Sequence, residues 1–201
     1  MGKINRSILI FSMASSIFLI SLQIFRWNLM DIFTPFFEPI IEITAILFIL
    51  VTMIVAAVYF FINYKLKGVI TALPLLIQLI SLLILIFVPF TAIILKIDYN
   101  CNLEERQKVV SMIENGELAL GKNGLIQLPP DLKHLSKGGG EIMVDRKDGT
   151  LKVLFFTFRG ILDSCAGWAY RSEGEPNRND FNQDIHEWKK MKENWFYISS
   201  R

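Results

Sequence analysis

No lysine, arginine, histidine, aspartate or glutamate interrupts residues 8–25, 43–64 or 69–95 of this 201-residue chain. Ionisable groups inside a bilayer are costly and mark ion paths, proton relays and substrate sites. Their absence from all three runs argues against a self-contained pump or ion-coupled transporter. Cysteine and histidine are scarce, two of each, and none falls in a zinc-ligand spacing. No metal site is expected, and no cofactor. The stretch Lys137-Gly138-Gly139-Gly140-Glu141 lacks the Lys-Ser/Thr pair and following helix of a phosphate loop. The one glycosylation sequon, Asn5-Arg6-Ser7, precedes the first apolar run, and the polar half has none. That pattern suits a bacterial protein.

The uncharged runs are long. A bilayer core of roughly 30 Å needs about 20 apolar helical residues. The second and third runs meet that length, and the first lies near its lower limit with Trp27 beside it as a headgroup-level anchor. A signal peptide is the competing reading of the first run, because Lys3 and Arg6 precede it. Its length exceeds the usual signal core of about 7–15 residues, and Arg26-Trp27-Asn28 lacks a small-residue cleavage pattern. Three retained transmembrane helices are expected over 8–25, 43–64 and 69–95. Pro74 and Pro89 lie within the third, to be tolerated, to kink it or to mark its ends.

Basic residues set the orientation. Lys3, Arg6, Lys65 and Lys67 flank one side of the spans, against Arg26 and Lys96 on the other. The side with more basic residues is the cytoplasmic one. The N-terminus and the Lys65–Lys67 loop are therefore expected in the cytoplasm of a plasma-membrane protein, with residues 98–201 extracytoplasmic. The aromatic connector between the first two spans carries Pro35 and Pro39 and reads as an irregular link in the outer headgroup layer. Within the spans, Gln78 is the deepest strong polar group and is expected to bond a neighbouring helix. Ser12 and Ser16 make a small-xxx-small pair that permits close helix approach, and hence oligomers through the spans.

Residues 98–201 carry 15 Lys and Arg against 16 Asp and Glu, so no basic field exists there to attract nucleic acid. The pattern predicts a small α+β domain with an antiparallel sheet of three to five strands. A helix begins at an Asn102 cap and stops at Asn115-Gly116. Asp148-Gly149 joins two strands as a two-residue hairpin, pairing Asp145 with Lys152, Val144 with Val153 and Ile142 with Phe155. A third strand follows Gly160. Phe181, Ile185, Trp188, Met191 and Trp195 recur at helical spacing and predict a last helix capped by Asp180. Phe196-Tyr197-Ile198 reads as a short final strand.

Candidate binding residues are Glu141, Arg159 and Asp163, a charged group at one end of the sheet, and Trp168 and Tyr170, aromatics on one strand face. Core packing is the competing reading of the two aromatics. Cys101 and Cys165 are either a disulfide closing a long loop or two thiols that never meet. A cysteine hydrolase built on Cys165, His186 and Asp184 lacks a family signature around the thiol. The expected function is that of a membrane-anchored protein with an outward binding, sensory or accessory domain. It would meet membrane lipid and a protein or envelope partner and carry out no catalysis. The alternatives are a helix-mediated subunit of a membrane assembly, an immunity-type protein, and a surface hydrolase using Cys165 or the Glu141/Asp163 carboxylates.

Overall fold

The computed structural model describes residues 5–118, 124–146, 149–160 and 164–200, without the side chains of 27, 28, 30–36 and 38. The chain divides into two compact units, Met1–Leu95 and Lys96–Arg201.

In the first unit a helical run, α1, extends over Arg6–Lys67. A straight helix would hold Ser15 and Thr52 about 55 Å apart at 1.5 Å per residue. Their hydroxyls are instead 3.0 Å apart. Gln23 and Glu42 also meet, at 3.5 Å, so the chain reverses between them while the backbone stays helical. The expected irregular connector is thus a helical turn. A 3-10 turn, Val69–Ala72, leads into α2, Leu73–Phe87. Three segments are long and apolar enough to cross a membrane: Arg6–Arg26, Pro39–Lys67 and Val69–Phe87.

Pro74 sits in the first turn of α2, where its missing N–H costs nothing. Pro89 is different. The residue before a proline is pushed out of the helical region, and Val88 is extended at φ −89°, ψ 116°. The third apolar helix therefore ends at Phe87, not at 95. Polar groups in this unit turn inward. The Gln78 amide donates to Thr52 Oγ1 at 2.7 Å and to Ser15 Oγ at 3.3 Å, tying α2 to both arms of α1. Ser12 and Ser16 are buried on the same helix.

The second unit opens on α3, Phe90–Glu114, which contains the boundary between the units. It runs through Asn102 without a break, so Asn102 is no cap. Its amide reaches back one turn to Asp98 at 2.9 Å. No glycine or proline lies between Phe90 and Asn115 to stop the helix sooner. Its end matches expectation. Gly116 takes φ +76°, and its N–H and that of Glu117 close onto Ile113 and Met112, a Schellman stop.

Six strands follow: β1 Leu125–Gln127, β2 Glu141–Asp145, β3 Lys152–Arg159, β4 Cys165–Arg171, β5 Ile185–Lys192 and β6 Trp195–Ser200. They form one antiparallel sheet in the order β1-β2-β3-β4-β6-β5. The β2–β3 register pairs Asp145 with Lys152, Val144 with Val153 and Ile142 with Phe155, as the Asp148-Gly149 turn requires. Asp148 itself lies outside the described residues. Gly167 on β4 allows close strand approach; a Cβ there would lie 2.2 Å from the Phe155 carbonyl oxygen.

Alternation gives the sheet two apolar faces. On the first, Phe155, Trp168 and Trp195 lie against Tyr99 and Arg106 of α3. On the second, Leu154, Phe156, Cys165, Ala169, Phe196 and Ile198 pack with Phe181 and Ile185. The β3 strand is buried over six consecutive residues because it is central and covered on both faces.

The expected last helix is a hairpin. Ile185–Lys192 and Trp195–Ser200 pair antiparallel, and Asn194 takes φ +64° between them. The helical spacing from Phe181 to Trp195 was coincidental: Trp195 belongs to an inner strand, and Glu187, Trp188, Lys189 and Lys190 are exposed. Asn tolerates the left-handed region better than β-branched residues do. Asn194→Gly should keep stability, whereas Asn194→Val should lose about 1–2 kcal/mol, read as the unfolding midpoint by tryptophan fluorescence. Equal tolerance of both would contradict the turn.

Candidate functional site

The side chains that organise the second unit begin with Asp98. Its carboxylate accepts from Arg106 Nη2 at 2.8 Å, from Trp168 Nε1 at 2.7 Å and from Asn102. Arg106 is 1% exposed. Its other N–H groups reach the Leu135 and Asp98 carbonyls, and its guanidinium stands 5.9 Å from the Phe155 and Trp168 ring centres. Burial pulls the Arg106 pKa down, while Asp98 and, less strongly, Tyr99 push it back up.

A second charged group lies on the other face. Register aligns Asp145, Lys152 and Arg171 across β2, β3 and β4. Asp180, from the segment between β4 and β5, closes over them. Its carboxylate meets Lys152 at 2.7 Å, Arg171 at 2.5 Å and the Asn177 N–H at 2.9 Å. Lys152 and Asp180 are each 4% exposed. The cap role expected of Asp180 is replaced by this one, and the next two residues, Phe181 and Asn182, take φ +60° and +55°. Burial works against the Asp180 charge. The Lys152 and Asn177 hydrogen bonds and the Arg171 and Lys152 charges outweigh it and hold the carboxyl below its ordinary value.

The candidate residues separate. Glu141 and Arg159 form an ion pair at 2.5 Å, roughly two-fifths exposed, with Arg159 over the Phe156 ring. Asp163 lies outside the described residues. Trp168 is buried, and Tyr170 is half-buried against Trp195 at 5.5 Å between ring centres, so both build core rather than an open platform. No disulfide joins Cys101 to Cys165. Cys101 is exposed on α3, whereas Cys165 is buried with its sulfur 3.2 Å from Ser200 Oγ. His186 meets Asp184 at 3.4 Å, and Arg178 holds that same carboxylate at 2.7 Å. The hydrolase reading gains no geometry from these contacts. Among the described residues no group of three His, Cys, Asp or Glu is placed to hold a metal ion.

Two concave sites stand out. One, of about 30 Å³, lies between the arms of α1 beside Gln23, Arg26 and Glu42. It has room for about one water, not a lipid headgroup. The other is an open hollow of about 530 Å³ along β5, lined by His186, Glu187, Trp188, Lys189 and Tyr197. Register places Trp188 and Lys190 on one side of β5 and Glu187 and Lys189 on the other. Trp188 is 44% exposed. The sequence hid this site, because the same residues fit a helical stripe in which Trp188 faces the core.

No protein family, no curated protein and no solved structure matches the chain.

Two outcomes follow from the charged groups. Removing one partner of a buried ion pair leaves the other uncompensated, at a cost of roughly 3–5 kcal/mol. Asp98→Ala should therefore destabilise the second unit by about 3 kcal/mol, and adding Arg106→Met should recover part of the loss. A double variant as unstable as the sum of both single variants would refute the pairing. Asp180 has a lowered pKa when folded. Its contribution is full above the unfolded carboxylate value, about 3.9, and is lost as pH falls through the folded one. The unfolding midpoint should drop on acidification below about pH 5, and Asp180→Asn should flatten that limb. An unchanged limb in the variant would assign the acid sensitivity elsewhere.

Proposed function

We propose that this is a membrane-anchored binding protein, an accessory or sensory subunit. Its α+β unit faces out of the cytoplasm and meets a protein or envelope partner at β5. The apolar helices serve as anchor, and their outward side chains suit contact with membrane lipid. The polar groups Ser15, Thr52 and Gln78 bond one another, which supports internal packing of the anchor.

Trp188 carries this reading. The large exposed hydrophobics beyond the first unit, among the described residues, are Ile97 and Trp188. A unit that buries Trp168, Trp195, Phe155, Phe156 and Phe196 but leaves one tryptophan out has apolar area to offer there. Tryptophan is enriched among residues that dominate binding energy in protein interfaces. The adjoining hollow provides a recess for a partner side chain.

A photo-crosslinking residue at position 188 in native membranes should trap a defined adduct. The same residue at Lys133, exposed away from β5, should trap none. Absence of any adduct specific to position 188 rejects the contact. Orientation has its own test in the exposed Cys101. A membrane-impermeant maleimide should label it in intact cells; labelling only after lysis would place the unit in the cytoplasm.

A further inference from the structure

Resting on β5 as the contact surface, we infer that the partner presents an extended acidic segment, which adds to the sheet as a strand alongside Glu187–Lys190. β5 ends the strand order, with β6 as its one neighbour among the described strands. An edge strand presents a row of backbone N–H and C=O groups ready to pair with another chain.

The β5–β6 register shifts between Ile185 and Glu187 and again between Lys190 and Lys192. Glu187, Trp188, Lys189 and Lys190 between them pair one-to-one with Ser199, Ile198, Tyr197 and Phe196. Bulges twist an edge away from pairing. The unshifted stretch of four residues is the part open to an added strand, and it coincides with the Trp188 hollow.

Charge names the partner's chemistry. Arg106 is matched by Asp98, Lys152 and Arg171 by Asp180, and Arg159 by Glu141, while Arg146 donates to the Ile113 carbonyl. Lys189, Lys190 and Lys192 are exposed, and none of them is in an ion pair among the described residues. Against them the strand holds Glu187 alone, within a unit whose Lys and Arg are balanced by its Asp and Glu. Two copies of β5 would set one net-positive edge against another. Lysines at an edge oppose most added strands, but a segment with carboxylates at alternate positions is admitted, a filter of attraction and repulsion together. Alternate residues of a strand share a face, so carboxylates set toward Lys189 leave the segment's apolar side chains on the Trp188 side of the edge.

Full-length protein in discs of zwitterionic lipid provides the test. The probes are labelled eight-residue peptides that alternate Glu with Val, their Gln twins, and Glu peptides N-methylated on alternate residues. The acidic peptide should bind about threefold more tightly than its Gln twin, because carboxylates on one face of the added strand meet Lys189 or Lys190 but not both. N-methylation should abolish binding, because it removes donors that strand addition needs. Lys189→Glu with Lys190→Glu, both exposed, should keep native tryptophan fluorescence and switch preference to a Lys-bearing peptide. Equal binding of Glu and Gln peptides, no binding of either, or unchanged preference in the charge-reversed protein overturns the inference. So does binding of anionic vesicles through these lysines with no peptide binding, which would assign the edge to a lipid surface. A position-188 crosslink that persists through any of these failures would leave the contact surface standing and remove the acidic strand alone.

Discussion

Arg106 sets the terms for the second unit. A guanidinium cannot shed its charge to suit a core, so a position 1% exposed must be built around it. Asp98 supplies the opposite charge from two turns earlier on α3, and the Leu135 carbonyl takes further N–H groups. The rings of Phe155 and Trp168 face the cation. Since Asp98 also takes the Trp168 indole proton, one carboxylate fixes the helix, the cation and the fourth strand together. The first apolar face assembles around that arrangement and depends on it for rotation of α3 as well as for proximity.

The other face solves a similar problem with different means. Lys152 and Arg171 lie side by side on adjacent strands, an unfavourable pairing of like charges. Asp180 resolves it by bonding both. Its segment thereby covers the face and delivers Phe181 to the core. In the apolar helices the polar groups are neutral, and Gln78 joins two hydroxyls from opposite arms. In each case polarity that water cannot reach is spent on fixing one element against another.

What could be read from residues alone follows from how local the determinants are. The first two uncharged runs, the Gly116 stop and the β2–β3 register depend on neighbours in the chain, and they stand in the structure as apolar helix, helix end and strand pair. The pairing of Asp145 with Lys152 was legible for the same reason. Asp180 was not, because its partners lie 9 and 28 residues away. The end of the third helix was ambiguous, since composition stays apolar through Leu95 while the backbone is interrupted by the Val88-Pro89 step. The expected strand Phe196–Ile198 lies within β6, whereas β5 takes the place of a helix because its apolar residues also satisfy a period near 3.6. Asn194 was the signal to weigh, as a residue tolerant of positive φ between two strand-forming stretches. Helical spacing sets Trp188 on the inner face, whereas the strand leaves it exposed, so the site is legible only once the hairpin is.

The Asp98–Trp168 hydrogen bond spans 70 residues, and this bears on the order in which the unit forms. The β2–β3 and β5–β6 hairpins close short loops, and such pairings form in microseconds. Seating α3 requires a far longer loop, whose closure entropy must be met before contacts reward it. Until then the Phe155, Trp168 and Trp195 rings stand uncovered on a sheet already partly paired. A chain in which Asp98 does not reach Trp168 leaves those rings without their cover, so one carboxylate on α3 separates a closed apolar face from one open to association.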